Sequence, residues 1–129
     1  MSWEPGQGHY PYQAAIEAYG NLGFRFAGMS HRGSVLCLPS GMFAWEVERA
    51  EDVTLAALER VLAHEDLDVL LIGLGSDIAA IDPAIRAAFR EKGIIIEAVA
   101  TGSAVRTYNV LLSEDRAVGA ALIAVEQAR

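Results

Sequence analysis

A single cysteine, Cys37, leaves the chain without an internal disulfide and fits a reducing compartment. Histidine is nearly as scarce. His9, His31 and His64 fall in unrelated segments, with no ligand spacing to one another or to Cys37, so no metal site is expected. The 10 Lys and Arg residues form no basic run and are outnumbered by 17 Asp and Glu, giving a net charge of −7. That charge repels phosphate backbones and anionic lipid, so neither nucleic acid nor a membrane surface is expected as a direct partner. No apolar run approaches the roughly 20 residues of a membrane helix, and no charged n-region with an apolar h-region opens the chain. Direct membrane insertion is therefore not expected, and a soluble, cytoplasmic domain is.

What is present is apolar surface. With 129 residues, 53% of them hydrophobic, and a mean hydropathy of +0.26, the chain can bury a core without staples. Residues 1–12 carry Trp3, Pro5, Gly6, Gly8, His9 and Pro11, a composition of turns and extended backbone, and are expected to form an N-terminal arm. Such an arm is commonly a partly ordered tail; the alternative is that Trp3, Tyr10 and Tyr12 lie against the domain or a partner subunit. Residues 13–129 are expected to form one α/β domain.

From Ile16 the pattern is one of short strands. Phe24-Arg25-Phe26-Ala27 alternates, His31-Arg32-Gly33 reads as a turn, and Ser34 to Leu38 is an apolar run. Pro39-Ser40-Gly41 turns the chain into Met42 to Val47. This predicts an antiparallel meander in which Cys37 is a small core residue with no activating neighbour. Leu55, Leu58, Val61 and Leu62 recur at helical spacing, with Asp52 or Thr54 as cap, predicting a helix to about His64.

Val69-Leu70-Leu71-Ile72 is the continuous apolar run that a strand covered on both faces requires. It ends in Gly73-Leu74-Gly75-Ser76. Asp82-Pro83 signals a helix start, Ile85 and Phe89 face inward, and Lys92-Gly93 closes the helix. A strand from Ile94 to Val99, a helix from Ala104 and a strand over Val118–Val125 complete consecutive βαβ units, which demand a parallel sheet with right-handed crossovers. The fold class is α/β: a compact layered domain whose N-terminal antiparallel meander and C-terminal βαβ units form a mixed sheet packed by helices.

The candidate site follows from that topology. If the strands are parallel, Gly73, Gly75 and Ser76 on one turn and Thr101, Gly102 and Ser103 on another both lie beyond carboxyl ends, where open α/β sheets bind ligands. With Ser103 as cap, the helix packs Ala104, Tyr108, Leu111 and Leu112 on one face and presents Arg106, Asn109, Ser113 and Arg116 on another. Arg106 would sit in the first turn, where a cation opposes the macrodipole by roughly 0.3–1 kcal/mol unless an anion or carboxylate compensates. Two readings stand. Glycine-freed N–H groups and Arg106 form an anion site, or the glycines serve only tight turns while Arg106 pairs with Glu97 or Asp77 or is solvated.

Sharper motifs fail. Gly73-Leu74-Gly75-Ser76-Asp77-Ile78 begins like a dinucleotide fingerprint, but Ile78 replaces the third glycine. Ser76 lacks a nucleophile elbow, and Glu114 and Asp115 lie on different helix faces. No catalytic residue, cofactor site or metal site is assigned.

The run Arg106-Thr107-Tyr108-Asn109-Val110-Leu111-Leu112 carries a family resemblance. Around it stand Val69 to Gly75, Gly93-Ile94 with Glu97, Thr101, Ala104, Glu114, Arg116 and Ala120-Ala121-Leu122, with Tyr19-Gly20, Phe24, Gly33-Ser34, Pro39 and Trp45 earlier in the chain. From about Ile16 to Val125 the sequence resembles the small-domain family that includes mitochondrial NADH:ubiquinone oxidoreductase (complex I) assembly factor 3 and bacterial and archaeal proteins of unknown function. The resemblance implies a layered α/β fold with a mixed sheet and no established catalytic activity. Ala100 departs from the acidic residue expected before Thr101, which removes one partner for Arg106. Two function classes follow: a noncatalytic module that binds a protein partner, such as respiratory-complex subunits, or a protein whose crevice takes an anionic small molecule, with or without minor chemistry. A homo-oligomer built on the βαβ half or the arm is compatible with either.

Overall fold

Continuous apolar character places Val69–Gly73 (β7) inside the sheet, as the middle of its three parallel strands. A computed structural model describes residues 8–76 and 79–128, with only the backbone at residues 8 and 9. Leu70, Leu71 and Ile72 are all buried because β7 has strands on both sides and cover on both faces. It pairs in parallel with Ile95–Val99 (β8) on one side and with Val118–Leu122 (β9) on the other.

Beyond β9 the sheet becomes antiparallel. Ser34–Leu38 (β5) pairs with β9, Gly41–Trp45 (β6) with β5, and Gly8–Tyr10 (β1) with β6. The mixed sheet is six-stranded, in the order β1-β6-β5-β9-β7-β8. Ala18–Gly20 (β2), Gly23–Phe26 (β3) and Met29–Arg32 (β4) form a separate three-stranded antiparallel sheet.

Two apolar layers sandwich the large sheet. On one face Leu36, Leu70, Ile72 and Ile96 pack with Ile85 and Phe89 of helix Pro83–Glu91 (labelled α2) and with Leu58 and Val61. On the other, Val35, Cys37, Leu71 and Leu122 pack with Ala104, Val105 and Tyr108 of helix Thr101–Ser113 (labelled α3) and with Phe24 and Phe26 of the small sheet. Each fully buried large side chain is worth roughly 1.5–3 kcal/mol of transfer free energy.

The α/β class, the mixed sheet and the parallel crossovers agree with the sequence. So does α2: Asp82 caps it by accepting from the Ala84 N–H at 2.9 Å, Pro83 opens it, and Gly93 follows at φ 79°. The arm and the meander differ in detail. Residues 1–7 lie outside the described residues, but Gly8–Tyr10 is an edge strand, paired to β6 with a register shift between Gly8 and Tyr10, because β6 offers it a free edge. The meander is split between two sheets. His31 and Arg32 belong to β4 rather than to a turn, since pairing of Phe24 with His31 points both side chains inward, and the chain changes sheet at Gly33, φ 92°. The turns fall instead at Asn21-Leu22 and Ala27-Gly28, where all four φ values are positive.

The helix expected up to His64 is reduced to a 3₁₀ turn, Ala56–Leu58, and one α-turn, Glu59–Leu62 (labelled α1). Leu58 at φ −107°, ψ 13° interrupts the ladder, and the Trp45 Nε1–H donates to the Ala57 carbonyl at 2.8 Å. Leu55 is consequently 38% exposed. Thr54 still acts as a local cap, its Oγ1 accepting from the Ala57 N–H at 3.1 Å. Strand β9 ends at Leu122, earlier than the Val125 expected.

Candidate functional site

The chain leaves β7, crosses through α2 to β8 on one side, then crosses through α3 to β9 on the other. Its winding therefore reverses at the carboxyl end of β7, where neighbouring connections diverge and a crevice opens. A pocket of about 140 Å³ lies there, lined by Gly75, Ser76, Gly102, Ser103 and Arg106, with Tyr19, Ala100, Val125 and Gln127. The Arg106 Nη2 donates to the Ser103 Oγ at 3.3 Å.

Thr101 and Gly73 form the foundation of this pocket. Thr101 is fully buried; its Oγ1 donates to the Ile123 carbonyl at 2.7 Å and accepts from the Gly75 N–H at 3.0 Å. Its own N–H donates to the Gly75 carbonyl at 2.8 Å. One side chain thus ties the β7 loop, the start of α3 and the segment after β9. Gly73 permits this approach: a Cβ there would stand 2.9 Å from the Thr101 Cα and 3.1 Å from its Oγ1.

The helix start differs from expectation. α3 begins at Thr101, its N-cap residue is Ala100, and no side chain caps it. Ser103, the expected cap, lies inside the helix instead, and the Thr101 hydroxyl is taken up by its tertiary partners. With the start moved back, Arg106 lies in the second turn, and the expected conflict with the macrodipole, which is confined to the first turn, disappears. Asp77, one of its expected partners, lies outside the described residues, as does Ile78.

The polar stripe along α3 also dissolves. Asn109 Oδ1 accepts from the Ile16 N–H and its Nδ2 donates to the Ile16 carbonyl, both at 2.9 Å. Asn109 therefore holds the incoming chain as a strand neighbour would. Tyr108 Oη donates to the Ala14 carbonyl at 2.7 Å, and Gln13 Nε2 to the Val118 carbonyl at 2.7 Å, extending the seam. Ser113 Oγ donates to the Val110 carbonyl of its own helix, and Arg116 is exposed beyond the helix end. Of the expected site residues, Asn109, Ser113 and Arg116 are thus separated from the pocket.

Tyr19, Val125 and Gln127 line the pocket without any local sequence signal, because they arrive from the small sheet and from the segment after β9. Cys37 is fully buried, and desolvation raises its thiol pKa well above the ordinary range, the opposite of what a nucleophile needs. Desolvation likewise raises the pKa of the Tyr108 phenol. No group of three or more His, Cys, Asp or Glu that could hold a metal ion occurs among the described residues.

These features define a class: small α/β domains with a mixed sheet, helices on both faces and a glycine-lined crevice at the switch point. The chain belongs to the family described as protein of unknown function (DUF498/DUF598), whose model matches residues 16–123. It is 44% identical over 108 residues to an uncharacterized protein of Rhodobacter capsulatus, covering 84% of this chain and 82% of that one. It is 32% identical over 109 residues to NADH dehydrogenase (ubiquinone) 1 alpha subcomplex assembly factor 3 of Xenopus tropicalis, covering 84% of this chain and 60% of the assembly factor's length. A crystal structure described as an outer membrane protein from Bartonella henselae superposes with a TM-score of 0.87 at 49% identity, covering 92% of this chain and all of that one. No helix among the described residues is long and apolar enough to cross a membrane.

Proposed function

We propose that this chain is a noncatalytic protein-binding module that assists assembly of a respiratory complex, with complex I subunits as its partners. The observation that carries the reading is the similarity to assembly factor 3 of NADH dehydrogenase across 84% of this chain. A binding module needs a stable frame and a surface rather than a reacting group, and the side-chain seam from Gln13 to Ile16 supplies such a frame.

Affinity capture of the tagged protein from its own cells in mild detergent, with mass spectrometry of the retained proteins, tests the proposal. Complex I subunits enriched over an unrelated tagged control are the expected result; none enriched refutes it. In this reading the protein works in the cytoplasm, in keeping with its single buried thiol. The description of the Bartonella structure points instead to the outer membrane, so cell fractionation belongs with the capture. Sedimentation at several concentrations tests for a homo-oligomer.

The pocket at the switch point supports a second reading, binding of an anionic small molecule. Gly75 and Ser76 from the loop after β7 and Gly102, Ser103 and Arg106 from the start of α3 converge there, combining backbone N–H groups with a cation. A thermal-shift screen of phosphate, sulfate and carboxylate anions should find saturable stabilisation that Arg106→Ala removes. Absence of any saturable shift refutes this reading.

A further inference from the structure

The β2–β3 hairpin keeps a residue that its backbone disfavours. Gly20 pairs with Gly23, and the two residues between them, Asn21 and Leu22, have φ of 51° and 60°. This is a type I′ loop, for which asparagine followed by glycine is the favoured pair. Asn21 fits; Leu22 pays conformational strain where glycine would not. The conformation is enforced by hydrogen bonds from the Asn21 N–H to the Glu126 carbonyl, from the Leu22 N–H to the Val125 carbonyl and from the Gly33 N–H to the Leu22 carbonyl.

Leu22 nevertheless stays 47% exposed. It lines a cleft of about 360 Å³ at the junction of the two sheets, with the small residues Gly33, Ala44 and Ala124. Glu46 and Glu48 line the same cleft against one cation, Arg32. Neither glutamate has an ion-pair partner among the described residues. An apolar wall over small residues, bordered by excess negative charge, is complementary to an apolar side chain flanked by cations.

We infer that the Leu22 cleft is the docking surface of this protein, and that its occupant is a segment of a partner protein presenting an apolar residue next to Lys or Arg. This rests on the protein-binding reading and supplies its surface. Leu22 contributes the anchor contact at the centre, and Glu46 and Glu48 select the basic flank.

Isotope-labelled protein is titrated with two synthetic peptides, acetyl-Lys-Leu-Lys-Leu-Lys-amide and its Glu-Leu-Glu-Leu-Glu counterpart, while amide chemical shifts are followed. The lysine peptide should move the signals of Leu22, Gly33, Ala44 and Glu46, and should bind at least about fivefold more tightly than the glutamate peptide at low salt. Leu22→Gly and Leu22→Asn, both compatible with a left-handed backbone, should weaken binding at least about fivefold while keeping Tm at or above that of the wild type. Glu46→Gln/Glu48→Gln should remove the preference for the lysine peptide.

Equal binding of the two peptides, or no shift at the cleft, overturns the inference. So does a Tm below wild type in both Leu22 variants, which would make the leucine a stabilising residue. Concentration-dependent dimerisation abolished by Leu22→Gly would assign the cleft to a second copy and overturn it as well. Capture from cells, run in parallel, separates the two proposals. Complex I subunits retained equally by wild type and Leu22→Gly would preserve the assembly reading and reject this surface. Cleft-specific peptide binding without captured subunits would preserve the surface and reject that assembly role.

Discussion

Replacing Thr101 with valine probes the link between sheet topology and pocket most directly. The substitution is nearly isosteric, so it opens no cavity; it deletes only the hydroxyl. That hydroxyl donates to the Ile123 carbonyl at 2.7 Å and accepts from the Gly75 N–H at 3.0 Å. Thr101 is fully buried and Ile123 is 2% exposed, so no water replaces the lost donor and the carbonyl pays a desolvation penalty of roughly 1–3 kcal/mol. Gly75 is only half-buried, and its N–H can recover hydration, adding about 1 kcal/mol at most. The expected loss is therefore about 1–4 kcal/mol in urea unfolding, with an unchanged m-value. At roughly 3–4 °C per kcal/mol for this size, Tm should fall by about 3–16 °C. Thr101→Ser retains both hydrogen bonds and should lose only about 1 kcal/mol for the missing methyl group. A valine variant within 0.5 kcal/mol of wild type would refute the role assigned to this hydroxyl, as would a serine variant no better than valine.

Three further outcomes follow from the same contacts. Asn109→Ala leaves both backbone groups of Ile16 without their side-chain partner and should cost about 2–3 kcal/mol, with hydrogen exchange at Ile16 rising before that of the sheet. Gly73→Ala forces a Cβ against Thr101 and Leu122 and should destabilise by about 1–3 kcal/mol; near-neutral unfolding would show that the start of α3 yields easily. His31 is buried, and desolvation, partly offset by its Nε2 hydrogen bond to the Ser34 carbonyl, lowers its pKa below 6.5. The unfolded chain then binds the proton more readily, so the stability this histidine contributes is complete above about pH 6.5 and is lost as pH falls through the lower folded-state pKa. Tm against pH should slope downward below about 6.5 in the wild type and lose that component in His31→Gln; identical slopes would refute the assignment.

Local chemistry made much of the parallel half legible. The unbroken apolar run at Val69–Ile72 required cover on both faces, Asp82-Pro83 carried its own cap, and Gly93 stopped the helix at a positive φ. Where tertiary contacts competed with local preference, the sequence misled. Thr101 resembled part of a capping turn, yet both functions of its hydroxyl are committed across the sheet. Asn109 resembled an exposed polar position, but it stands in for a strand against Ile16, a partner 93 residues away. His31-Arg32-Gly33 had the composition of a turn, while inward pairing with Phe24 kept its first two residues in a strand.

The pocket divides in the same manner. Parallel strands place their carboxyl ends together whatever the side chains, so the two glycine turns could be matched before any contact was known. Tyr19, Val125 and Gln127 enter only because the small sheet and the segment after β9 fold over that end. The docking cleft was beyond sequence reading altogether, since nothing in Asn21-Leu22 announces that hydrogen bonds to Val125 and Glu126 hold a leucine in the left-handed region. By itself the sequence determined the elements whose periodicity and caps are local: the α/β class, the buried strand β7 and the crossover order. Tertiary structure alone decided which polar side chains face a crevice and which are consumed holding the chain together, because a hydroxyl or amide is satisfied by partners whose distance along the sequence leaves no local trace.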